Sequence, residues 1–220
     1  MSGTRGIAVV SKPVTIDAIE TSACEVFCRD GFDRASLRDI ASHAGVSLSS
    51  IHEYFESKAD LYVQVGKRLF ERFEGQRQEL LLKVRAGGEP LDLHKVVYCL
   101  VAPVIFERTT GGERSWTPSR LRTWYDTTGH LDRHPEFRSV LRAATEGWVV
   151  LMCEVCPGLD HASGRFAYSL IAAATFTWET ANVYVSDTLG IPGRHSPERE
   201  CELMVEFMCA GIRQLARRAT

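Results

Sequence analysis

The polar clusters of this 220-residue chain limit the chemistry open to it. Cys153-Glu-Val-Cys156 has the two-residue gap of a zinc or redox pair, and His130 and His134 lie upstream as further nitrogen ligands. A four-cysteine zinc site needs a second such pair, and a thioredoxin-type dithiol sits in a βαβ unit. Neither context accompanies this pair, so it reads as structural and no metal is expected. Glu146, Glu154 and Glu179 are single acids on helical patterns, more simply solvated or paired than catalytic. The chain has no serine nucleophile elbow, no glycine-rich phosphate loop after a strand and no His-Glu-x-x-His. No catalytic residue and no cofactor are expected, and an enzyme is the weak competitor among function classes.

The densest set of hydrogen-bonding side chains lies between residues 35 and 61, in ASLRDIASHAGVSLSSIHEYFESKADL. Ser36, Ser47 and Ser57 each precede a short helical pattern, where a hydroxyl can accept from an unpaired backbone N–H of the first turn. Asp39 and Asp60 follow two of them by three residues, close to the reciprocal capping-box spacing, and put negative charge at a positive helix end. Three helices therefore start within about two dozen residues. Ala44-Gly45-Val46 supplies the sharp turn between the first two, since glycine reaches backbone conformations that other residues resist. Leu37, Ile40 and Ala41 share one face of the first, and Ile51 and Phe55 share one face of the second. The pattern is helix-turn-helix, with Leu48, Ser49, His52 and Glu53 pointing outward from the second helix.

Residues 19–61 resemble the DNA-binding region of the tetracycline-repressor (TetR) family. The matching residues are Ala23, Phe27, Gly31, Phe32, Ser36, Asp39, Ile40, Ala41, Ala44, Gly45, Val46, Ser47, Phe55, Ser57, Lys58 and Leu61. They cover about a fifth of the chain; the remainder resembles the family only in length and helical character. Ser49 stands where the family usually has glycine and His52 where it usually has tyrosine, and both remain able to hydrogen-bond. The resemblance implies an all-α fold and a double-stranded DNA operator as partner. It also implies a set of DNA-binding residues: Ser36, Arg38, Ser47, Leu48, Ser49, Ser50, His52, Glu53, Tyr54 and Lys58. Lys58, just after the Ser57 cap, is the expected phosphate contact.

Charge argues the other way. The chain carries a formal −2, and residues 1–62 hold six Lys/Arg against nine Asp/Glu. Phosphate binding wants a basic surface, so weak non-specific binding is expected, with helix N-termini, hydroxyls and a few placed cations holding the backbone. A helical interaction or ligand-binding protein with weakened DNA binding is the alternative this balance keeps open.

Apolar residues make up 45% and charged ones 25%, and no apolar run reaches 18 residues, so neither a membrane span nor a wholly disordered chain is expected. The N-terminus lacks a signal-peptide pattern, and the odd, scattered set of seven cysteines does not form a secreted disulfide framework. A cytoplasmic protein is expected, with its cysteines as thiols.

Two domains are expected: a helix-turn-helix domain over residues 1–62 and a larger helical ligand-binding and dimerisation domain over residues 63–220. Residues 1–12 read as a solvated tail. A supporting helix over residues 14–30 ends at Gly31, and a lever helix of about 28 residues runs from Lys58 to the Gly87-Gly88-Glu89-Pro90 stop. Residues 91–106 are apolar, with Pro103 expected to kink or end the helix. A loop over residues 109–119, a short helix near 119–127, and helices over 135–156, 161–189 and 197–218 follow.

Aromatic surface in the larger domain suits a small-molecule pocket. Its expected lining is Tyr98, Phe106, Trp116, Trp124, Tyr125, Trp148 and Trp178, with Phe176 nearby and Glu179 and Asn182 one turn along. Two stripes offer a partner surface: Ala167, Leu170, Ile171, Ala174, Trp178, Ala181 and Val185, and Met204, Met208, Ile212 and Leu215. Pattern alone leaves core and interface equally open. The resemblance implies a homodimer through the last two helices and an unknown small-molecule inducer that releases a palindromic operator.

Overall fold

The computed structural model describes residues 16–110, 134–189 and 195–218, and among these no strand occurs. The helices are α1 (Ile16–Arg34), α2 (Leu37–Ala44), α3 (Leu48–Tyr54), α4 (Lys58–Ala86) and α5 (Leu93–Thr110), then α6 (Pro135–Val155), α7 (His161–Leu189) and α8 (Pro197–Arg218). The chain divides into two compact units, Met1–Val65 and Gly66–Thr220, a division that falls inside α4.

In the first unit α1 packs on α2 and α2 on α3. Its buried apolar side chains include Ile19, Ala23, Val26 and Phe27 on α1, Ile40 and Ala41 on α2, Ile51 on α3 and Leu61 on α4, which the 3.6-residue spacing selects, whereas Ile16 of the same α1 spacing is exposed and Tyr62 and Val63 beside Leu61 are buried as well. Gly31 adopts φ 76°, ψ 166°, which interrupts α1 before its last three residues. That backbone region is closed to side chains bearing a Cβ, so glycine is required where the chain swings toward α2.

In the second unit α5 makes its most extensive contact with α8, and α6 packs on α7. Val96, Val97 and Leu100 of α5, Trp148 and Met152 of α6, Ile171 of α7 and Val205 and Ile212 of α8 form one continuous core. Pro103 does not end its helix: α5 continues through it to Thr110, so Thr109 and Thr110 are helical rather than loop. The rest of the expected loop, and the short helix near residues 119–127, lie outside the described residues, as does the N-terminal tail. Arg77, buried at 3% exposure, donates from Nε to the Leu100 carbonyl at 3.2 Å, close to where Pro103 lacks the N–H that the Cys99 carbonyl would ordinarily receive.

The two stripes considered for a partner turn out to be mixed. Ala167, Ile171, Met204 and Ile212 are buried in the second unit's own core, whereas Leu170 is exposed. The spacing that puts Ala167 and Ile171 inward leaves Phe166 and Leu170 on the outer face of α7, and Phe207 is 77% exposed on α8. Ala181 and Val185 are helical positions whose side chains lie outside the description.

Candidate nucleic-acid interface

The three serine caps form as their spacing requires. Ser36 Oγ accepts from Asp39 N–H at 3.1 Å, Ser47 Oγ from Ser50 N–H at 3.1 Å and Ser57 Oγ from Asp60 N–H at 3.1 Å. Each satisfies one donor that a helix start leaves unpaired. The acids close the boxes differently from the reciprocal pattern. Asp39 receives the Ser36 hydroxyl, and Asp60 accepts from the Glu56 N–H, one residue ahead of the cap, at 3.1 Å. Gly45 holds φ 67°, ψ 31°, and Val46 N–H reaches back to the Ala41 carbonyl at 2.9 Å, closing α2 and aiming the chain into α3.

On α3, Ile51 is buried and Phe55 just beyond it is buried too, so this side of the helix is anchored. Ser49, His52, Glu53 and Tyr54 are exposed, and Leu48 and Ser50 are half-buried. The hydroxyls at the start of α3 form a cluster, Ser47 Oγ lying 2.7 Å from Ser49 Oγ and 2.8 Å from Ser50 Oγ. Arg38 is exposed in the first turn of α2. Arg38, His52, Glu53 and Tyr54 make no hydrogen bond or ion pair among the described residues, so a donor cation, an imidazole, a carboxylate and a phenol stand ready for an external partner. Such a set can hold phosphates and read base edges.

Lys58 has partners of its own. Its ammonium donates to the carbonyls of Phe32 at 2.8 Å and Ala35 at 3.0 Å, with Asp33 at 3.5 Å, and lies 4.3 Å from the Phe32 ring centroid. In this arrangement the ammonium lies on backbone oxygens left open where α1 breaks. Beside it Tyr62 packs edge to face on both Phe27 and Phe32, 4.8 Å and 5.0 Å between centroids, and the two phenyl rings stack on each other. Lys58 and Tyr62 lie four apart on α4, a spacing that marks a shared face but not what the face meets.

The acidity of the module is partly internal. Glu25 of α1 meets His43 Nε2 of α2, and Asp30 pairs with Arg29 at 2.7 Å. The Arg29 hydrogen bond holds the Asp30 carboxyl below its usual range. Two of the nine acids counted against DNA binding thus have partners within the module, and one of those pairs also takes up Arg29, one of the six cations.

The same module is legible by comparison. A family model described as bacterial regulatory proteins, tetR family, matches residues 19–65, which spans the caps, the Gly45 turn and the outward face of α3. The N-terminal module belongs to the tetR family. Over 89 residues the chain is 30% identical to the HTH-type transcriptional repressor BepR of Brucella suis biovar 1 (strain 1330), a match that spans 40% of this chain and 40% of that relative. Among solved structures, the transcriptional regulator FadR from Bacillus subtilis, in complex with stearoyl-CoA, superposes with a TM-score of 0.64 at 18% identity, covering 90% of this chain and all of that one. The fatty acid degradation regulator FadR from Bacillus halodurans gives 0.61 at 16% identity, covering 87% and 93% of the two chains. At these identities the superpositions establish the fold alone.

Beyond the tetR-family module, the second unit holds a cleft of about 290 Å³ between α4 and α5. It is lined by Gln76 and Leu80 of α4 and Tyr98, Ala102, Pro103, Phe106 and Glu107 of α5. Tyr98 and Phe106 were legible as aromatic candidates. Gln76 and Glu107 were not, because a single polar residue on a helix has no sequence signal until the facing helix is known. Desolvation pushes the Tyr98 phenol above its ordinary pKa, which keeps it protonated. Trp148 is 1% exposed and donates from Nε1 to Glu74 Oε1 at 2.8 Å, and Trp178 donates to Glu200 Oε2 at 3.2 Å; both indoles are tied into the core. Trp116, Trp124 and Tyr125 lie outside the described residues, and the side chains of Phe176, Glu179 and Asn182 likewise.

The remaining polar candidates are accounted for locally. Glu146 accepts from Arg165 at 3.0 Å and meets His161, and the Arg165 hydrogen bond first, then His161, hold its pKa down. Cys153 Sγ lies 3.8 Å from the Asp160 carbonyl, and burial pushes both it and Cys156 toward the neutral thiol. His134 precedes Pro135 at the start of α6, and His130 lies outside the described residues.

Proposed function

We propose that this chain is a DNA-binding transcriptional regulator of the one-component kind: a homodimer that represses from a palindromic operator and lets go when a small molecule binds its second unit. The carrying observation is the α3 face. Ser49, His52, Glu53 and Tyr54 are exposed together while Ile51 and Phe55 anchor the opposite side, in a module whose family consists of regulatory proteins. The name of BepR, a transcriptional repressor, supports the sign of the output. The description of FadR with stearoyl-CoA supports a ligand in the second unit, without supporting that ligand here.

The dimer follows from the exposed apolar residues of the last two helices. Phe166 at 56%, Leu170 at 49% and Phe207 at 77% exposure are large side chains with no burial inside one chain. A two-fold contact over them suits two reading heads on one palindrome. Transmission runs along α4, which contributes Leu61 and Tyr62 to the first unit and lines the cleft with Gln76 and Leu80 in the second. A ligand that binds one arrangement of that helix better than another shifts the population, and operator affinity changes by the same coupling free energy. No described helix is long and apolar enough to cross a membrane, and the working site is the cytoplasm, where DNA is accessible.

The test is selection of bound DNA from a random pool by the full chain, with the bound species sized by light scattering. A recovered palindrome bound by a species of about twice 24.6 kDa is expected. Failure to recover any sequence at low salt overturns DNA regulation and leaves the ligand-binding alternative. A Phe207→Glu variant that stays dimeric overturns the proposed interface.

A further inference from the structure

We infer that Arg77 is a positioning residue for operator binding. Its guanidinium has two acceptors in reach, the Leu100 carbonyl of α5 and the Glu74 carboxylate of its own helix, and its choice between them ties α4 to α5 or releases it. This rests on the reading of the chain as a DNA-binding regulator and supplies residues for the transmission which that reading places on α4.

The role of such a tie comes from how α4 is attached within the second unit. The backbones of α5 and α8, and of α6 and α7, pack closely, whereas α4 does not run that close to α5 or α6. Besides apolar side chains such as Phe73 and Leu81, long polar arms hold it. Arg77 is 3% exposed and donates from Nε to the Leu100 carbonyl at 3.2 Å. Glu74, one turn earlier, accepts at Oε1 from Trp148 Nε1 of α6 at 2.8 Å and from Gln78 Nε2 at 2.7 Å. A helix fastened in this way changes its attachment when one side chain turns, without a close-packed seam to repack.

Arg77 and Glu74 are mismatched where they stand. Nη1 lies 3.8 Å from Glu74 Oε2, inside ion-pair range but beyond a hydrogen bond, and Oε2 is buried. A guanidinium and a carboxylate bind most strongly through direct hydrogen bonds, often two in parallel. The Trp148 and Gln78 donors restrain the carboxylate by its other oxygen, which leaves Arg77 on a neutral carbonyl. When Trp148 withdraws, Glu74 is free to turn onto Arg77, and a charge-assisted bond displaces the Leu100 carbonyl. That carbonyl adjoins the turn where Pro103 already removes a backbone donor from α5. A shift of α6 at Trp148 is thereby passed to the α4–α5 attachment through two discrete arrangements, which a population shift requires.

Three substitutions bias the choice in stated directions. Glu74→Gln keeps an acceptor for Trp148 and removes the charge that competes for Arg77, so it strengthens the tie. Trp148→Phe removes the donor that restrains Glu74, so it weakens the tie. Arg77→Lys replaces the fork by a point charge that prefers the nearby carboxylate to a neutral carbonyl, and weakens the tie too.

The experiment measures affinity of the full chain for the DNA recovered by selection. Shifts of about two- to thirty-fold are expected, in one direction for Glu74→Gln and in the opposite direction for Trp148→Phe and Arg77→Lys. In the double variant Glu74→Gln/Trp148→Phe the Trp148 effect should vanish, because it needs the carboxylate. The tie itself is read from the arginine Nε–H resonance that Arg77→Lys deletes. It should exchange slowly with water in native chain and in Glu74→Gln, and fast in Trp148→Phe. A merely structural network lowers urea stability and affinity together in all three variants. Affinities that move in the same direction, or by less than about two-fold, overturn the inference and leave the regulator standing. Where Trp148→Phe does not fold, Glu74→Gln against Arg77→Lys decides. An Nε–H that exchanges fast in native chain, or that Trp148→Phe leaves protected, overturns the latch even where no operator is recovered, an outcome that by itself removes only the regulatory reading.

Discussion

Lys58 fastens the first turn of α4 to the break in α1, its ammonium 2.8 Å from the Phe32 carbonyl and 4.3 Å from the Phe32 ring centroid. A cation held by neutral carbonyls and an aromatic face stabilises the module while remaining an uncancelled positive charge. Lys58→Met should therefore lower unfolding free energy by about 1–3 kcal/mol, the cost of stranding partly buried carbonyls, read in urea denaturation. The salt dependence of DNA binding should keep its slope. A slope lower by about one would mean that the ammonium leaves Phe32 for a phosphate on the complex.

Arg38 provides the contrast, being exposed and without a partner among the described residues. Arg38→Ala should leave stability within about 0.5 kcal/mol, as surface substitutions do. It should weaken binding to all sequences alike and reduce the salt slope by about one. Melting curves together with affinities at three salt concentrations check both halves.

Glu53 is an exposed carboxylate on the face that Ser49 and His52 share. Near phosphates it is repelled unless it accepts from a cytosine N4 or adenine N6 amino group. Glu53→Gln should tighten binding to scrambled DNA through the lost charge, and loosen discrimination at one base pair per half-site by roughly 1–3 kcal/mol. Equal gains on operator and scrambled DNA would make Glu53 a bystander.

Gly45 and Gly31 both have positive φ, and a Cβ added at either meets nothing within 4 Å, so substitution measures backbone conformation alone. Gly45 at φ 67°, ψ 31° is left-handed helical, where alanine costs about 1–2 kcal/mol. Gly31 at φ 76°, ψ 166° is in a region open essentially to glycine only. Gly31→Ala should destabilise more than Gly45→Ala, and Gly45→Asn less than Gly45→Ala. The reverse order in thermal melts would contradict the geometry.

Burial pushes the thiols of Cys99, Cys201 and Cys209 up to about 11 from the ordinary 9.0. A raised folded-state value means that the unfolded chain loses its protons first. The stabilisation is whole below pH 9 and disappears as pH rises toward 11. Denaturation midpoints should fall across that window, and Cys201→Ala should flatten the fall relative to the native chain. Thiol reagents at pH 8 should react slowly with native chain and with all seven cysteines once it is unfolded.

The reading module was legible in the residues because its determinants are local. A cap needs a hydroxyl and a backbone N–H three residues apart, and the Ser36, Ser47 and Ser57 bonds depend on nothing further away. The turn at Gly45 needs only a residue that tolerates positive φ, and the inward face of α3 needs only Ile51 and Phe55 four apart. Helix spacing could say that Ala167 and Ile171 share a face with Leu170 close by, but not which edge of that face meets α6 and α8. Packing put Ala167 and Ile171 inside and left Phe166 and Leu170 outside. Position after the Ser57 cap makes Lys58 a candidate phosphate ligand but names a charge and not its partners within the chain. Its carbonyls belong to a segment more than 20 residues away, brought near only when α1 breaks at Gly31. Trp148 finding Glu74, and Gln76 finding no partner, are decided in the same way, by the pairing of helices distant in sequence. Such contacts are non-local, and no periodicity within one helix encodes them.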